Sequence, residues 1–228
     1  MDFRFTEEQD AFRKKVKAFL AKELPSDWLD GGAPEDETDE WWKLTQRFLK
    51  RLGEQGWISA TWPKEYGGQE RPTWEDAILG EELAYLRAPA QDYWFRWKMI
   101  AALLLNFGDD EQKRQHLPGI ASGKVYWCQG FSEPGAGSDL GGCQVKAQDK
   151  GDYFLVNGQK IWTTGAHRAH WCFAPLLSDP DAPKRSRMLS MFLIDMKTPG
   201  ITVKRLESLE GVAHLCEAFF DDVKVPKG

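Results

Sequence analysis

The feature that most constrains this chain is a change in the spacing of its apolar residues near residue 124. Before that point they recur every three or four positions, as in amphipathic helices. After it they fall in short runs rich in β-branched and aromatic residues, separated by turn residues, as in strands. The sequence therefore predicts an α+β multidomain fold. An all-helical domain over residues 1–123 precedes a small, mostly antiparallel β-barrel or sandwich domain over residues 124–228, a length suited to one large or two small domains.

Capping and breaking residues set the ends of the predicted helices. Thr6 is an N-cap candidate with Gln9 as its capping-box partner, and Asp109 is a second N-cap candidate. Gly108 and Gly123 are typical of helix ends. The predicted helices cover residues 7–24, 39–56, 74–86, 90–107 and 110–122.

Seven segments of the second half have strand character. They are residues 125–131, 144–148, 153–162, 169–177, 189–195, 201–205 and 217–223. Asn157-Gly158 is a dipeptide typical of two-residue hairpin turns, so a hairpin is predicted there.

Composition narrows the classes of partner and location. A net charge of -5 and a pI near 5.5 argue against nucleic acid or an anionic membrane as the main partner. Because no stretch of about 20 apolar residues occurs and Met1–Gln9 lacks the pattern of a signal peptide, we expect a cytoplasmic protein. The 4 cysteines are widely spaced with no C-x-x-C pair, as in reducing compartments. The histidines form no metal-binding pattern, so no metal is expected.

Two motifs in the second half carry the chemistry. The first is the turn Ser132–Asp139, SEPGAGSD, whose glycines let backbone approach a ligand closely and whose serines donate or accept hydrogen bonds. The second is the strand end Lys160–Gly165, KIWTTG, where Trp162 offers a flat aromatic face beside Thr163 and Thr164. A flat aromatic beside hydroxyls suits a planar ring with polar edges, and a Gly-Ser turn suits a phosphate or an extended polar tail.

The glycines of the first motif have an alternative interpretation as a dinucleotide fingerprint. Gly135 and Gly137 fit the first two positions of G-x-G-x-x-G, but Leu140 stands where the third glycine is required. No helix-bearing βαβ unit surrounds them, which argues against a nicotinamide site.

The two motifs together resemble the flavin-binding core of the acyl-CoA dehydrogenase family. The resemblance extends along nearly the whole chain, from FTEEQDAFRKKVKAFL at the N-terminus to FFDDVKVPKG at the end. It implies an FAD-dependent enzyme that desaturates an acyl-CoA thioester between its α and β carbons. It also implies an electron-transfer flavoprotein as electron acceptor, a homo- or hetero-oligomeric assembly, and either fatty acyl or steroid substrates.

The resemblance assigns roles to individual residues. Gln129, Phe131 and Ser132 occupy the strand that faces the isoalloxazine ring in the family, and the Ser132 hydroxyl stands where a hydroxyl hydrogen-bonds that ring. Gly137 and Ser138 are implied contacts of the pyrophosphate, and Ser138 also of the CoA tail. Trp162 is implied at the edge of the isoalloxazine ring, with Thr163 and Thr164 beside it and Thr164 near the nitrogen that receives hydride.

The implied reaction also needs a carboxylate to remove the α-proton, and in the family this glutamate belongs to a C-terminal helical bundle. This sequence stops at Gly228, about where that bundle begins, so no catalytic base is assigned. Three hypotheses stay open. The chain is the first two domains of a dehydrogenase, a short subunit that completes its flavin site with a partner, or a non-catalytic scaffold.

Overall fold

A computed structural model describes residues 4–35, 38–209 and 211–227, apart from the side chains of residues 91–95 and 185–186. The chain divides into two compact units, Met1–Lys124 and Val125–Gly228. The first is helical and the second is a β-sheet unit. The predicted fold class is therefore confirmed.

The helices of the first unit begin and end close to the predicted positions. They are α1 (Glu7–Glu23), α2 (Asp39–Glu54), α3 (Thr73–Tyr85), α4 (Gln91–Phe107) and α5 (Asp110–Ala121). Thr6 and Asp109 both form capping boxes, with Gln9 and Gln112 as partners. None of the helices in the described ranges is long and apolar enough to cross a membrane.

The core of the helical unit follows from the apolar spacing of α1 and α2. Helix α1 buries Val16 and Leu20 and packs against α3. Helix α2 buries Phe48, Leu49 and Leu52 on one face. Burying side chains of this size contributes about 1.5–3 kcal/mol each, which is why these faces determine the packing.

The β unit is a single, largely antiparallel sheet. Its strands are β1 (Trp127–Gln129), β2 (Lys146–Asp149), β3 (Tyr153–Lys160), β4 (Trp171–Leu177), β5 (Leu189–Asp195), β6 (Ile201–Leu206) and β7 (Leu215–Pro226), with a short helix α6 (Arg185–Met188) before β5. The order is β1-β4-β2-β3-β7-β6, and β5 pairs with the other edge of β4.

Strand β4 is the element that positions the motifs. Along one edge it pairs in parallel with β1 over Trp171–Phe173, and with β2 only at Leu177. The chain leaves the sheet after β1, forms the Gly-rich turn, and returns to the same edge of β4 as β2. The turn thus emerges from an interruption in the sheet.

The hairpin prediction at Asn157-Gly158 is wrong. Both residues lie inside β3, and the β2–β3 hairpin turns at residues 150–152. Opposite Asn157, strand β7 carries a bulge: Val156 pairs with Val223, but Gly158 pairs with Phe220. The Asn157 side chain donates to Asp222 Oδ1 at 3.0 Å and accepts from the Asp222 backbone N–H at 2.9 Å. The Asn-Gly dipeptide here lies opposite a β-bulge in β7. A bulge and a hairpin turn both suit a short polar side chain and a residue with positive φ, so the same dipeptide fits either.

Candidate functional site

The Ser132–Asp139 turn is held by a two-residue bridge at its start. The Glu133 N–H donates to the Ala136 carbonyl at 2.7 Å, and the Ala136 N–H donates back at 3.1 Å. Gly137 and Ser138 beyond it are exposed. A Cβ added at Gly135 or Gly137 would meet nothing within 4 Å, so backbone at both positions faces open space.

A backbone hydrogen bond joins the two motifs. The Ile161 N–H donates to the Ser132 carbonyl at 2.9 Å, so the residue that begins the turn is tied to the residue before Trp162. This contact joins positions 29 residues apart in the chain. The sequence order alone does not require it, and it is the central geometric fact of the site.

Trp162 is presented to solvent in a strained conformation. Its φ is 58°, in the left-handed region, and the residue is 56% exposed. A bulky residue in that region costs on the order of 1–3 kcal/mol, and such strain concentrates at functional sites. The chain at the start of β7 holds this conformation in place. The Thr163 N–H donates to the Cys216 carbonyl at 2.9 Å, and the Gly165 N–H donates to the His214 carbonyl at 2.8 Å.

Thr163 differs from its neighbour in burial. Thr163 is fully buried, and its Oγ1 has no hydrogen-bond partner among the described residues. Thr164 is half-buried, and its N–H donates to the Trp162 carbonyl at 3.0 Å. A buried hydroxyl without a partner costs about 1–3 kcal/mol, so Thr163 carries an unused hydrogen-bonding group at this site.

The predicted contacts at and before the start of the turn all keep some exposed surface. Gln129 and Phe131 are half-buried, whereas the alternate residues Cys128 and Gly130 are buried. The Phe131 ring meets Phe173 edge-on, with centroids 5.6 Å apart. Ser132 is half-buried, so all three predicted residues keep exposed surface.

The most buried charged group of the β unit is Lys160, which has no exposed surface. Its Nζ donates to Glu133 Oε1 at 2.8 Å, and to the Pro175 and Phe131 carbonyls at 2.9 and 3.2 Å. Sequence reasoning missed this pair. The sequence does contain a signal for it. Lys160 lies four and six residues after Val156 and Phe154 in the same strand, so its side chain is on the face that these two residues turn to the core.

Two further groups complete the polar surroundings. Cys143 Sγ lies 3.9 Å from Lys160 Nζ, and burial raises the pKa of this thiol. Arg168 Nε donates to His167 Nε2 at 3.0 Å, which places the imidazole proton on Nδ1, 3.3 Å from Cys216 Sγ. Within the described ranges, no group of three His, Cys, Asp or Glu side chains is placed to hold a metal ion.

A cleft of about 270 Å³ lies along the inner side of the turn. It is lined by Glu133, Pro134, Gly135, Gly142, Gln144, Val145, Gly158 and Gln159. Three of these eight residues are glycines. Glu133 is one of the others, and its carboxylate is already hydrogen-bonded to backbone N–H groups.

Comparison with known proteins identifies the family to which this helical unit and this β-sheet unit belong. The model of the family described as "Acyl-CoA dehydrogenase, N-terminal domain" matches residues 6–124, and that of the "middle domain" matches residues 128–223. The chain belongs to the acyl-CoA dehydrogenase family.

Individual relatives agree with this assignment. Acyl-CoA dehydrogenase IpdE1 of Mycobacterium tuberculosis is 34% identical over 217 residues, which cover 94% of this chain and 56% of that protein. The ChsE4-ChsE5 complex of Mycobacterium tuberculosis has a TM-score of 0.86 at 27% identity, covering 99% of this chain and 56% of its own. The Tcur3481-Tcur3483 steroid ACAD has a TM-score of 0.85 at 29% identity, with coverages of 99% and 57%. This chain thus spans little more than half the length of these relatives.

Proposed function

We propose that this chain supplies the helical and flavin-contacting domains of an FAD-dependent acyl-CoA dehydrogenase. The observation that carries the proposal is the 2.9 Å bond between the Ile161 N–H and the Ser132 carbonyl. It unites the Gly-Ser turn and the Trp-Thr strand end in one place. Family membership gives the class of reaction, and the joined motifs supply a surface suited to its cofactor.

The residues present fit FAD at two points. The buried Thr163 hydroxyl has no partner among the described residues and would bond a polar edge of the ring, beside the Trp162 indole. The open space next to Gly135 and Gly137 would let a pyrophosphate contact the backbone there. Ser138 would then contact the pyrophosphate and the CoA tail. Gln129, Phe131, Ser132 and Thr164 are proposed as the remaining contacts.

Bound FAD supplies the two-electron acceptor for α,β-desaturation of an acyl-CoA thioester. The residues of this chain bind and orient the ring, and the Trp162 indole shields one edge of it from water. Proton removal requires a carboxylate, for which the family resemblance implies a glutamate outside these 228 residues.

The same proposal covers partners and location. Acyl-CoA is the substrate, with a steroid or fatty acyl group, and an electron-transfer flavoprotein takes the electrons. The ChsE4-ChsE5 neighbour is a complex of unlike chains, which favours completion of the site by a partner within a homo- or hetero-oligomer. A cytoplasmic location is supported by cysteines that are free and buried.

The test is equilibrium dialysis of the purified 228-residue chain against FAD, read by flavin absorbance. We expect saturable binding near one FAD per chain. Trp162→Ala is expected to weaken it about tenfold, since contact between a flat ring and an aromatic side chain contributes on the order of 1–3 kcal/mol. Leu209→Ala, at an exposed position, is the matched control. Equal affinity in Trp162→Ala would overturn the proposed contacts, and absence of saturable binding would overturn the proposal that these 228 residues hold FAD without a partner.

A further inference from the structure

The interruption in the sheet leaves one polar group of β4 without a strand partner. On that edge, the Phe173 carbonyl accepts from the Gly130 N–H at 3.0 Å, and the Leu177 N–H donates to the Val145 carbonyl at 2.8 Å. Between them lies Pro175, which has no N–H but does have a carbonyl that needs a donor. No residue of β1 or β2 pairs with it.

Lys160 supplies that donor from the side. Its buried Nζ reaches the Pro175 carbonyl at 2.9 Å, the Phe131 carbonyl at 3.2 Å and Glu133 Oε1 at 2.8 Å. An ammonium has three N–H donors, and these three acceptors use all of them. The ammonium group therefore takes the place of the missing strand and connects β4, the end of β1 and the turn.

Glu133 closes the other side of the interruption. Its Oε2 accepts from the Gln144 N–H at 2.6 Å, and its Oε1 accepts from the Val145 N–H at 3.1 Å as well as from Lys160. Gln144 and Val145 are the residues at which the chain returns to the sheet. The Glu133 carboxylate, which lies at the start of the turn, thus also holds the residues at its end, Gln144 and Val145.

We propose that Lys160 and Glu133 are positioning residues, which set the separation between the Ser132 turn and the Trp162 strand end. Stability alone does not account for them, because well-packed apolar residues of similar volume often stabilise a core as much as a buried ion pair. What an apolar pair lacks is the set of directed bonds to four backbone groups, those of Phe131, Pro175, Gln144 and Val145. The proposal rests on the proposed function, because the geometry being set is that of the FAD contacts, yet neither residue needs to touch the cofactor.

The test uses Lys160→Met, Glu133→Gln and the double variant, with Lys227→Met as a matched control. Lys227 forms an exposed ion pair with Asp149 at 2.6 Å in the same sheet. Each single variant leaves one buried charge without its opposite charge, so the melting temperature of that variant falls. The double variant removes both charges, and its melting temperature recovers toward that of the unmodified chain.

Amide hydrogen exchange without FAD measures positioning directly. In Glu133→Gln and in the double variant, we expect the Gln144 and Val145 amides to exchange about tenfold faster or more, since their bonds to a charged acceptor are lost. The Ile161 amide is expected to exchange faster as well, because its acceptor, the Ser132 carbonyl, lies on the turn that the pair positions. The Val156 amide, in the middle of β3, stays unchanged. If the double variant recovers its melting temperature and the three amides keep their original rates, the pair does not position the turn and the inference is refuted.

FAD affinity supplies the second readout. We expect the double variant to bind FAD about tenfold more weakly even where its melting temperature has recovered, whereas a purely stabilising pair predicts that both recover together. Lys227→Met keeps the original affinity. If the unmodified chain binds no FAD while the exchange pattern is as expected, the proposed function fails and the positioning role stands. Full affinity in the double variant overturns the positioning role alone.

Discussion

Replacing Thr163 by valine separates stability from cofactor binding. Valine matches threonine in shape but has no hydroxyl, and the Thr163 Oγ1 is buried without a partner among the described residues. Burying an unpaired hydroxyl costs about 1–3 kcal/mol, so the variant is expected to gain about that much in free energy of unfolding without FAD. Because the proposed bond to the flavin is lost, FAD affinity is expected to fall by about 0.5–1.5 kcal/mol, or roughly two- to twelvefold.

Urea unfolding and FAD dialysis on the same preparations measure the two effects. Thr164→Val is the matched control for the unfolding measurement alone, because Thr164 is half-buried and is itself a proposed flavin contact. Its free energy of unfolding is expected to change by less than about 0.5 kcal/mol. A Thr163→Val chain that is less stable than the original and binds FAD equally well would refute the reasoning, since the hydroxyl would then have a structural partner and no role at the cofactor.

Two more predictions concern packing and pH. Gly130→Ala would place a Cβ 2.9 Å from Cys172 Sγ, so we expect a loss of about 1–3 kcal/mol in urea unfolding, whereas Gly135→Ala, whose Cβ meets nothing within 4 Å, should be nearly neutral. Equal effects of the two substitutions would contradict the described packing. Burial lowers the pKa of both His116 and His170 below the ordinary 6.5. The unfolded chain therefore binds more protons as the pH falls below about 6.5, so stability is present above that pH and lost below it, by at most about 1.4 kcal/mol per pH unit for each histidine. Urea midpoints from pH 8 to pH 5 measure this loss, and a His116→Leu chain with an undiminished pH slope would contradict it for His116.

Most of the fold was predictable because the signals are local. Capping residues such as Thr6 and Asp109 act within one helical turn, and apolar spacing reports which face of an element is buried. Asn157-Gly158 misled because the same dipeptide satisfies a hairpin turn and a bulge. The choice between them depends on β7, which lies about 60 residues away in the chain.

The motifs of the candidate site could be read from the sequence, but their internal support could not. Family resemblance implies that Ser132 and Trp162 contact the cofactor, which stays a prediction, and the structure joins their segments through the Ile161 N–H. The Lys160–Glu133 pair was missed because its purpose depends on the interruption of the sheet beside Pro175. Strand pairing between distant segments creates that interruption, and no local pattern reports it.

The most direct test of the central claim follows the Trp162 indole by NMR. A chain labelled with ¹⁵N-tryptophan gives one indole N–H signal for each of its 11 tryptophans, and the signal absent from a Trp162→Phe chain identifies residue 162. On titration with FAD, we predict that this signal shifts or broadens most, with the same midpoint as FAD binding by dialysis. A Trp162 signal that stays unchanged while FAD binds would contradict the proposal that the Ser132 turn and the Trp162 strand end together form the flavin site.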